Sequence, residues 1–409
     1  MITSRRHALP AIPAIPAILL LTALSACGGG GGSGGTVNPP PVTETLALNA
    51  PVFKTLGGKN ITLGASTASG NAAAWTLASG SVGSLSASSG ASIFYQPPAS
   101  VSAISTATVT AAIGSLSKSA TLYVYPDPGA PALSLIAGAD DLQSGPVDGQ
   151  GASARFQNPR LMGAAPDGSI YVADFNPQGS LTEDRFALRK ISAAGVVSTL
   201  ATNVDLNPNY YNDVVRIGVD RAGTVYLAEN GRTSLGNNNP SGGAIYKLGA
   251  DGKLALFAGE MSHNAAPNET FQQDGSGSAA KFYAPDIVGF DADNNLYIKD
   301  SPRNIAVARP YRKVTPAGVV TTIDALPAGV GAADDGNTDA YSADISANVI
   351  YRTPAGGVKT VVAGVAGQPG DQLGALPGLL RAPNALIQLG PYSYAFSSGT
   401  RVLKLVTPR

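Results

Sequence analysis

The chain has 409 residues, and 27 Lys and Arg balance 27 Asp and Glu for a formal net charge of zero. A neutral chain lacks the basic field that holds nucleic acid, so that class of partner is excluded. Only 13% of residues are charged while Gly (49) and Pro (30) abound, a turn-rich all-β composition with no long amphipathic helix pattern.

Residues 1–26 read as an export signal. Arg5 and Arg6 supply the charged start, and Ala17 to Leu24 supplies an apolar run too short to span a bilayer as a mature helix. Pro10, Pro13 and Pro16 crowd that run and lower its helicity. Leu24-Ser-Ala-Cys27 then resembles the bacterial lipobox, whose Cys is lipidated and becomes the first mature residue. The other reading is an ordinary signal peptide with an unrelated Cys. Cys27 is the only cysteine, so the mature domains hold no disulfide. Acyl chains add about 0.8 kcal/mol per buried CH₂, so several together anchor stably. Gly28 follows Cys27 where an Asp could stand. Resemblance to Gram-negative lipoproteins then implies the outer membrane rather than inner-membrane retention. Residues 27–42 form a tether, flexible in its Gly-rich part and stiffer in its Pro-rich part.

Residues 43–126 change character: rich in Ser, Ala, Thr and Gly, with few charges. Leu46-Ala-Leu, Lys59 to Leu63, the run around Trp75, Ser92 to Pro98, Ala107 to Ile113 and Ser119 to Pro126 read as short strands of a β-sandwich. Their order resembles the bacterial immunoglobulin-like domains of surface proteins. Trp75 is expected in the core between the sheets; a carbohydrate platform is the rival role. Pro126 to Pro131 reads as a hinge.

From Ala132 to Arg409 one phrase occurs five times. Its clearest copy has an apolar run, the turn Pro166-Asp167-Gly168, the strand Ser169 to Asp174, the alternating strand Ala187 to Ser192, a turn at Ala193 to Gly195, and the strand Val196 to Leu200. That is four antiparallel strands. The copies carry Tyr171, Tyr226, Tyr297, Tyr341 and Tyr394. Four-strand repeats of about 40–50 residues indicate the blades of a β-propeller. The last copy ends on its third strand, Arg401 to Val406, so Ala132 to Gly138 is predicted to close the ring as the missing fourth.

The phrase DGxGxxARFxxP…PDGxIYVAD…LRKIxxxGxVSTL, at Asp148 to Leu200 and again from Asp274 to Thr322, resembles the NHL-repeat family of propellers. Such propellers usually have six blades. The fold expected is therefore all-β: a propeller of five counted repeats, with six blades possible, spanning 132–409 and preceded by the small sandwich.

The chemistry legible in the residues is thin. The two histidines are His7, removed with the signal, and His263, in an Asn- and Pro-rich loop. Streptogramin lyases and amidating lyases resemble this fold but rely on channel histidines, and no Ser/His/Asp or Cys/His set can be assembled here. Asp291-Ala-Asp293-Asn-Asn295 resembles the start of a calcium loop, but its twelfth position is Pro302, not Glu, and a hairpin turn is expected. Asp148-Gly-Gln-Gly151 and Asp274-Gly-Ser-Gly277 lack the Lys-Ser/Thr of a phosphate loop. No metal site, cofactor or catalytic residue is predicted.

One rim collects polar groups. Asp174, Glu229, Asp300 and Asp344 end second strands, while Arg160, Asp286 and Asn384 each follow a Pro at the start of a first strand. They read either as turn caps and interblade partners or as a polar ligand site at the channel mouth. The expectation is a lipid-anchored, non-enzymatic envelope protein whose propeller is a binding or scaffold module for a protein, peptide or glycan. The alternative is a propeller lyase or hydrolase using channel carboxylates and a metal, and a third reading is a purely structural envelope protein.

Overall fold

A computed structural model describes residues 43–50, 52–140, 145–175, 186–204, 212–231, 242–260, 272–291, 293–301, 310–327, 330 and 339–409. The export signal, Cys27, the tether and His263 lie outside the described residues. Thr43–Arg409 forms one unit.

Two sheets build the sandwich. One orders Leu46–Leu48, Ile61–Thr67, Ser92–Gln96 and Ser84–Leu85; the other orders Val52–Leu56, Leu116–Tyr125, Ser105–Ile113, Ala73–Leu77 and Ser89–Gly90. Trp75 is 2% exposed between them, and its indole N–H donates to the Gly90 carbonyl at 2.8 Å. That burial removes the carbohydrate-platform role and gives the core role expected of an aromatic whose polar tip is satisfied. Tyr95 is fully buried beside it and donates to the Val82 carbonyl at 2.8 Å; burial pushes its phenol up to about 12. Val52–Leu56 was not among the expected strands. It runs parallel to Leu116–Tyr125, pairing Val52 with Thr121 and Leu56 with Tyr125.

Leu116–Tyr125 shows how period two serves two cores at once. Ala120, Leu122 and Val124 enter the sandwich interior. Tyr123 and Tyr125, between and after them, turn the other way and join Val52, Leu56, Ile104 and Tyr392 of the propeller in a second cluster. The sandwich is thus packed onto the propeller. Gly390 makes the closest approach possible: a Cβ there would meet the Tyr125 ring at 2.5 Å. Residues 126–131 do not hang between two independent bodies. Asp127 is bonded to the Arg409 side chain and accepts from the Gly129 N–H at 2.9 Å, so the expected hinge is tied down at its start.

The propeller is a set of antiparallel sheets, five among the described residues. The first blade holds Pro159–Ala164, Ile170–Phe175, Phe186–Ile191 and Val196–Val204. The second holds Asn212–Val219, Val225–Gly231, Gly243–Leu248 and Leu254–Gly259, and the third Pro285–Phe290, Leu296–Asp300, Tyr311–Val314 and Val319–Ile323. Three strands of a fourth are described: Ala340–Asp344, Val349–Thr353 and Thr360–Ala363. The last blade holds Asn384–Gly390, Ser393–Ser398 and Arg401–Val406, and Ala132–Ala137 pairs with Arg401–Val406 as its outer strand. The ring is therefore closed by hydrogen bonds between the two ends of the propeller sequence, which removes an open sheet edge.

First strands stand side by side around the axis, with Pro159–Ala164 between Asn384–Gly390 and Asn212–Val219. Gly163 permits this closeness, since a Cβ there would lie 2.8 Å from Ile217 of the next blade. Turns between first and second strands follow the expected chemistry. Asp291 Oδ1 accepts from the N–H groups of Asp293 and Asn295, and its Oδ2 accepts from the Asn295 amide and the Tyr297 hydroxyl. This is a self-bonded hairpin turn.

One element departs from its expected phase. Tyr171, Tyr226 and Tyr341 face the following blade, whereas Tyr394 faces the preceding one. The cause is a turn one residue shorter. The first blade turns through Pro166-Asp167-Gly168, with the Ala165 N–H bonded to the Ser169 carbonyl, while Gly390 pairs directly with Ser393 around Pro391-Tyr392. Losing one residue flips every later side chain to the other face. Ala395, not Tyr394, therefore holds the register of Tyr171: it pairs with Lys404 as Tyr171 pairs with Lys190.

Candidate functional site

The two ends of the propeller differ in kind. At one end the first strands begin and the second strands finish: Pro159 pairs with Asp174 and Pro285 with Asp300, so the predicted rim residues do share an end. At the other end the sandwich sits against the turns between first and second strands.

At the rim, Asp174 and Asp300 point inward. The Asp174 carboxylate accepts from the N–H groups of Gln157 (2.9 Å) and Asn158 (2.7 Å) and from Arg189 (3.4 Å). Asp300 accepts from the N–H groups of Tyr283 and Ala284, both 2.9 Å, from the Gln272 amide at 3.1 Å and from Arg312 at 3.4 Å. Both side chains are sealed from solvent. Burial pushes both carboxyls above the ordinary Asp value, against the pull of the backbone N–H groups and the arginine.

Arg189 and Arg312 are fully buried and form the hub of a repeated pin. Arg189 donates to the backbone carbonyls of Arg155 and Val147 and to Asp148 at 2.9 Å, and its guanidinium lies over the Phe156 ring at 4.5 Å. Arg312 repeats this with Lys281, Gln273, Asp274 (2.8 Å) and Phe282 (5.3 Å). Asp148 also accepts from the N–H and hydroxyl of Thr199, both 2.8 Å, and Asp274 from those of Thr322 at 3.0 and 2.9 Å. Burial works to raise the Asp148 and Asp274 carboxyls, but these donors outweigh it and hold both below the ordinary value. The pin fastens each DGxG loop so that Gly149–Gln150 and Gly275–Ser276 add a fifth strand outside their blades. The loop signature shared by the two copies is thus a structural clasp. Its trace in the sequence is the return of Asp, Phe, Asp, Arg and Thr in matched places, with an Arg on a strand that otherwise faces the core.

The remaining rim residues divide again. Glu229 is fully buried, and with burial it pushes the Tyr246 phenol well above its ordinary range. Asp344 caps its own hairpin through the Ala347 N–H at 2.9 Å, and Asn384 accepts from the Ala385 N–H at 2.8 Å. Arg160 is exposed, with its guanidinium 5.1 Å from the Phe175 ring centroid. Asp286 pairs with Arg216 across neighbouring first strands at 2.5 Å, both side chains about half exposed. Arg216 had no sequence signal, because its partner is brought to it only by ring closure. Solvent at this mouth therefore meets Arg160, Arg216, Asp286, Asp344 and Asn384. Asp174, Glu229 and Asp300 are held inside. Among the described residues no group of three or more His, Cys, Asp or Glu side chains stands where it could hold a metal ion.

At the opposite end, a cleft of about 180 Å³ lies where the channel meets the sandwich. Lys54 and Tyr123 reach it from the sandwich, and Arg221, Phe290 and Gln388 from the propeller. A second cleft lies between the last and first blades, beside Lys404.

No family model matches the chain, and no curated protein matches it. Among solved structures, the chain is similar to a structural genomics protein of unknown function from Bacteroides thetaiotaomicron: 14% identity, 91% of this chain and 100% of that one covered, TM-score 0.33. It is also similar to a quinoprotein alcohol dehydrogenase-like protein from the same organism, at 10% identity over 86% of this chain and 92% of that one, TM-score 0.20. A DUF4623 family protein from Bacteroides eggerthii shows 10% identity over 83% and 68%, TM-score 0.29. The likeness is one of β-rich, propeller-like architecture and says nothing about chemistry.

Proposed function

We propose that this chain is a lipid-anchored protein of the bacterial cell envelope, attached through Cys27 to the outer membrane, and that its NHL-type propeller is a binding module for a protein, peptide or glycan. The anchor rests on the lipobox at Leu24 to Cys27 followed by a Gly- and Pro-rich tether. The binding role rests on one observation above the others. The sandwich occupies one end of the propeller, through Tyr123, Tyr125 and the turn at Gly390, and the opposite mouth keeps Arg160, Arg216 and Asp286 exposed on rigid inner strands. Loops and strand ends on a rigid scaffold are where recognition residues concentrate.

Two experiments test this reading. Changing Cys27→Ala should move the protein into soluble fractions and abolish palmitate labelling; unchanged partitioning would sink the anchor. Glycan and peptide arrays probed with the full chain should show saturable binding that Asp286→Arg, which sets two cations against each other, reduces about tenfold or more. An array without saturable binding leaves a purely structural envelope role.

A further inference from the structure

The second cleft carries an inference that does not depend on the channel mouth. It lies at the sandwich end, between the last and first blades, with a volume of about 250 Å³. Ile104, Tyr125 and Pro126 wall it from the sandwich side, and Ile136, Ile170 and Leu389 from the propeller. The charged side chains in its lining are Lys404 and Asp127.

Lys404 holds the register of Lys190 in the first blade and Lys247 in the second: each pairs across the sheet with the residue in the position of Tyr171. In those blades the ammonium has a ring beneath it. Lys190 lies 5.5 Å from the Tyr171 ring centroid and 3.8 Å from the Asp167 carboxylate. Lys247 lies 5.7 Å from the Tyr226 ring and 5.5 Å from that of Phe257. Opposite Lys404 stands Ala395, because the shortened turn moved Tyr394 to the other face. Ile387, paired with Ala395, packs into the apolar cluster between the last and first blades, and the cleft lies beside Lys404. Asp127 forms no ion pair with Lys404, and its Oδ1 accepts from the Arg409 side chain and the Gly129 N–H. The Lys404 ammonium makes no hydrogen bond or ion pair with the described residues, and burial lowers its pKa. A partly desolvated cation without an anion is costly, and a cation over a ring is favourable. Lys404 thus has neither a ring beneath its ammonium nor a carboxylate paired with it.

We propose that the cleft beside Lys404 binds a small aromatic carboxylate, its ring between Ile104, Tyr125, Ile136 and Ile170 and its carboxylate on the Lys404 ammonium. The volume corresponds to about eight waters at roughly 30 Å³ each, room enough for benzoate.

Saturation-transfer NMR on the full chain, titrated with benzoate, tests this, with benzyl alcohol supplying the ring alone and acetate the charge alone. Benzoate should bind saturably and better than either. Lys404→Met should weaken it about tenfold or more, the loss expected for a charged hydrogen bond, while Lys404→Arg should retain it. Equal binding of benzyl alcohol, no saturable binding of benzoate, or unchanged affinity in K404M would each overturn the proposal. Acylation of the wild-type lysines, mapped by peptide mass spectrometry, decides the matter should K404M not fold. Benzoate should slow modification of Lys404 relative to Lys190, and equal rates with and without benzoate would count against the site.

Discussion

The first and last blades solve one structural problem with opposite chemistry. In the first, the loop before the blade is held by Asp148, Phe156, Asp174, Arg189 and Thr199. In the last, the same registers carry Leu373, Leu380, Ser398, Leu403 and Leu135. The four leucines belong to one apolar cluster, and Ser398 keeps only the bond that Asp174 makes to the incoming backbone, from the Arg381 N–H at 2.9 Å. Gly374–Ala375 still pairs outside the blade, as Gly149–Gln150 does. The loop carries its charges at the surface instead, where Asp371 pairs with Arg381 at 2.8 Å and with Arg401. A buried ion pair is therefore not required to build a blade. It specifies a loop position that packing alone can also specify, as expected where desolvation cancels most of the Coulomb attraction.

The largest effect should come from breaking the polar version halfway. Arg189→Leu alone leaves Asp174 buried without its cation, and should cost about 3–5 kcal/mol in chemical denaturation. Converting the whole set (D148L, F156L, D174S, R189L and T199L) should recover most of that loss. A silent single change would show that the two blades differ in sequence but not in energetics. Next in size is Gly390→Val at the contact with the sandwich. The added side chain meets the Tyr125 ring, and overpacking of this kind costs about 1–3 kcal/mol; a Tm equal to wild type would mean that the sandwich yields freely.

Acid should separate the two carboxylates within each pin. Asp148 and Asp274 have folded pKa values below the ordinary Asp value of about 3.9. Their stabilisation is complete above that value and is lost as pH falls through the folded pKa. Asp174 and Asp300 are raised, so their contribution has the opposite sign: it is present below about 3.9 and is lost as pH rises through their folded pKa. Stability measured against pH should fall less steeply below about 4 in D148N/D274N, and an unchanged slope would remove these two groups from the acid response. The smallest effect is expected for Phe156→Leu, which takes the ring from under Arg189 and should cost about 1 kcal/mol.

Much of this was readable along the chain. Pro-Asp-Gly and Asp-rich hairpin turns act through bonds to near neighbours, so their residues announce them, as Asp291 does. Trp75 and the closing strand Ala132–Ala137 were readable for the same reason, each carrying its pattern within a few residues. The candidate site was less legible. Asp174 and Asp286 occupy comparable ends of strands, yet one is sealed beneath Arg189 and the other faces Arg216 half exposed. Their immediate neighbours do not distinguish them, because Arg189 comes from the next strand of the same blade, 15 residues on, and Arg216 from another blade, 70 residues back. Tyr394 is a subtler case: the residue type matched, but one residue missing from a turn reversed its face.

Alternation, turn chemistry and repetition were enough to dictate strands, blades and ring closure, since period-two patterns and φ preferences operate over two to five residues. Which carboxylates are buried, which face of Leu116–Tyr125 meets the propeller and which lysines lie over a ring were decided by packing. Those outcomes depend on distances between segments tens to hundreds of residues apart, which only the closed ring brings within reach of a hydrogen bond.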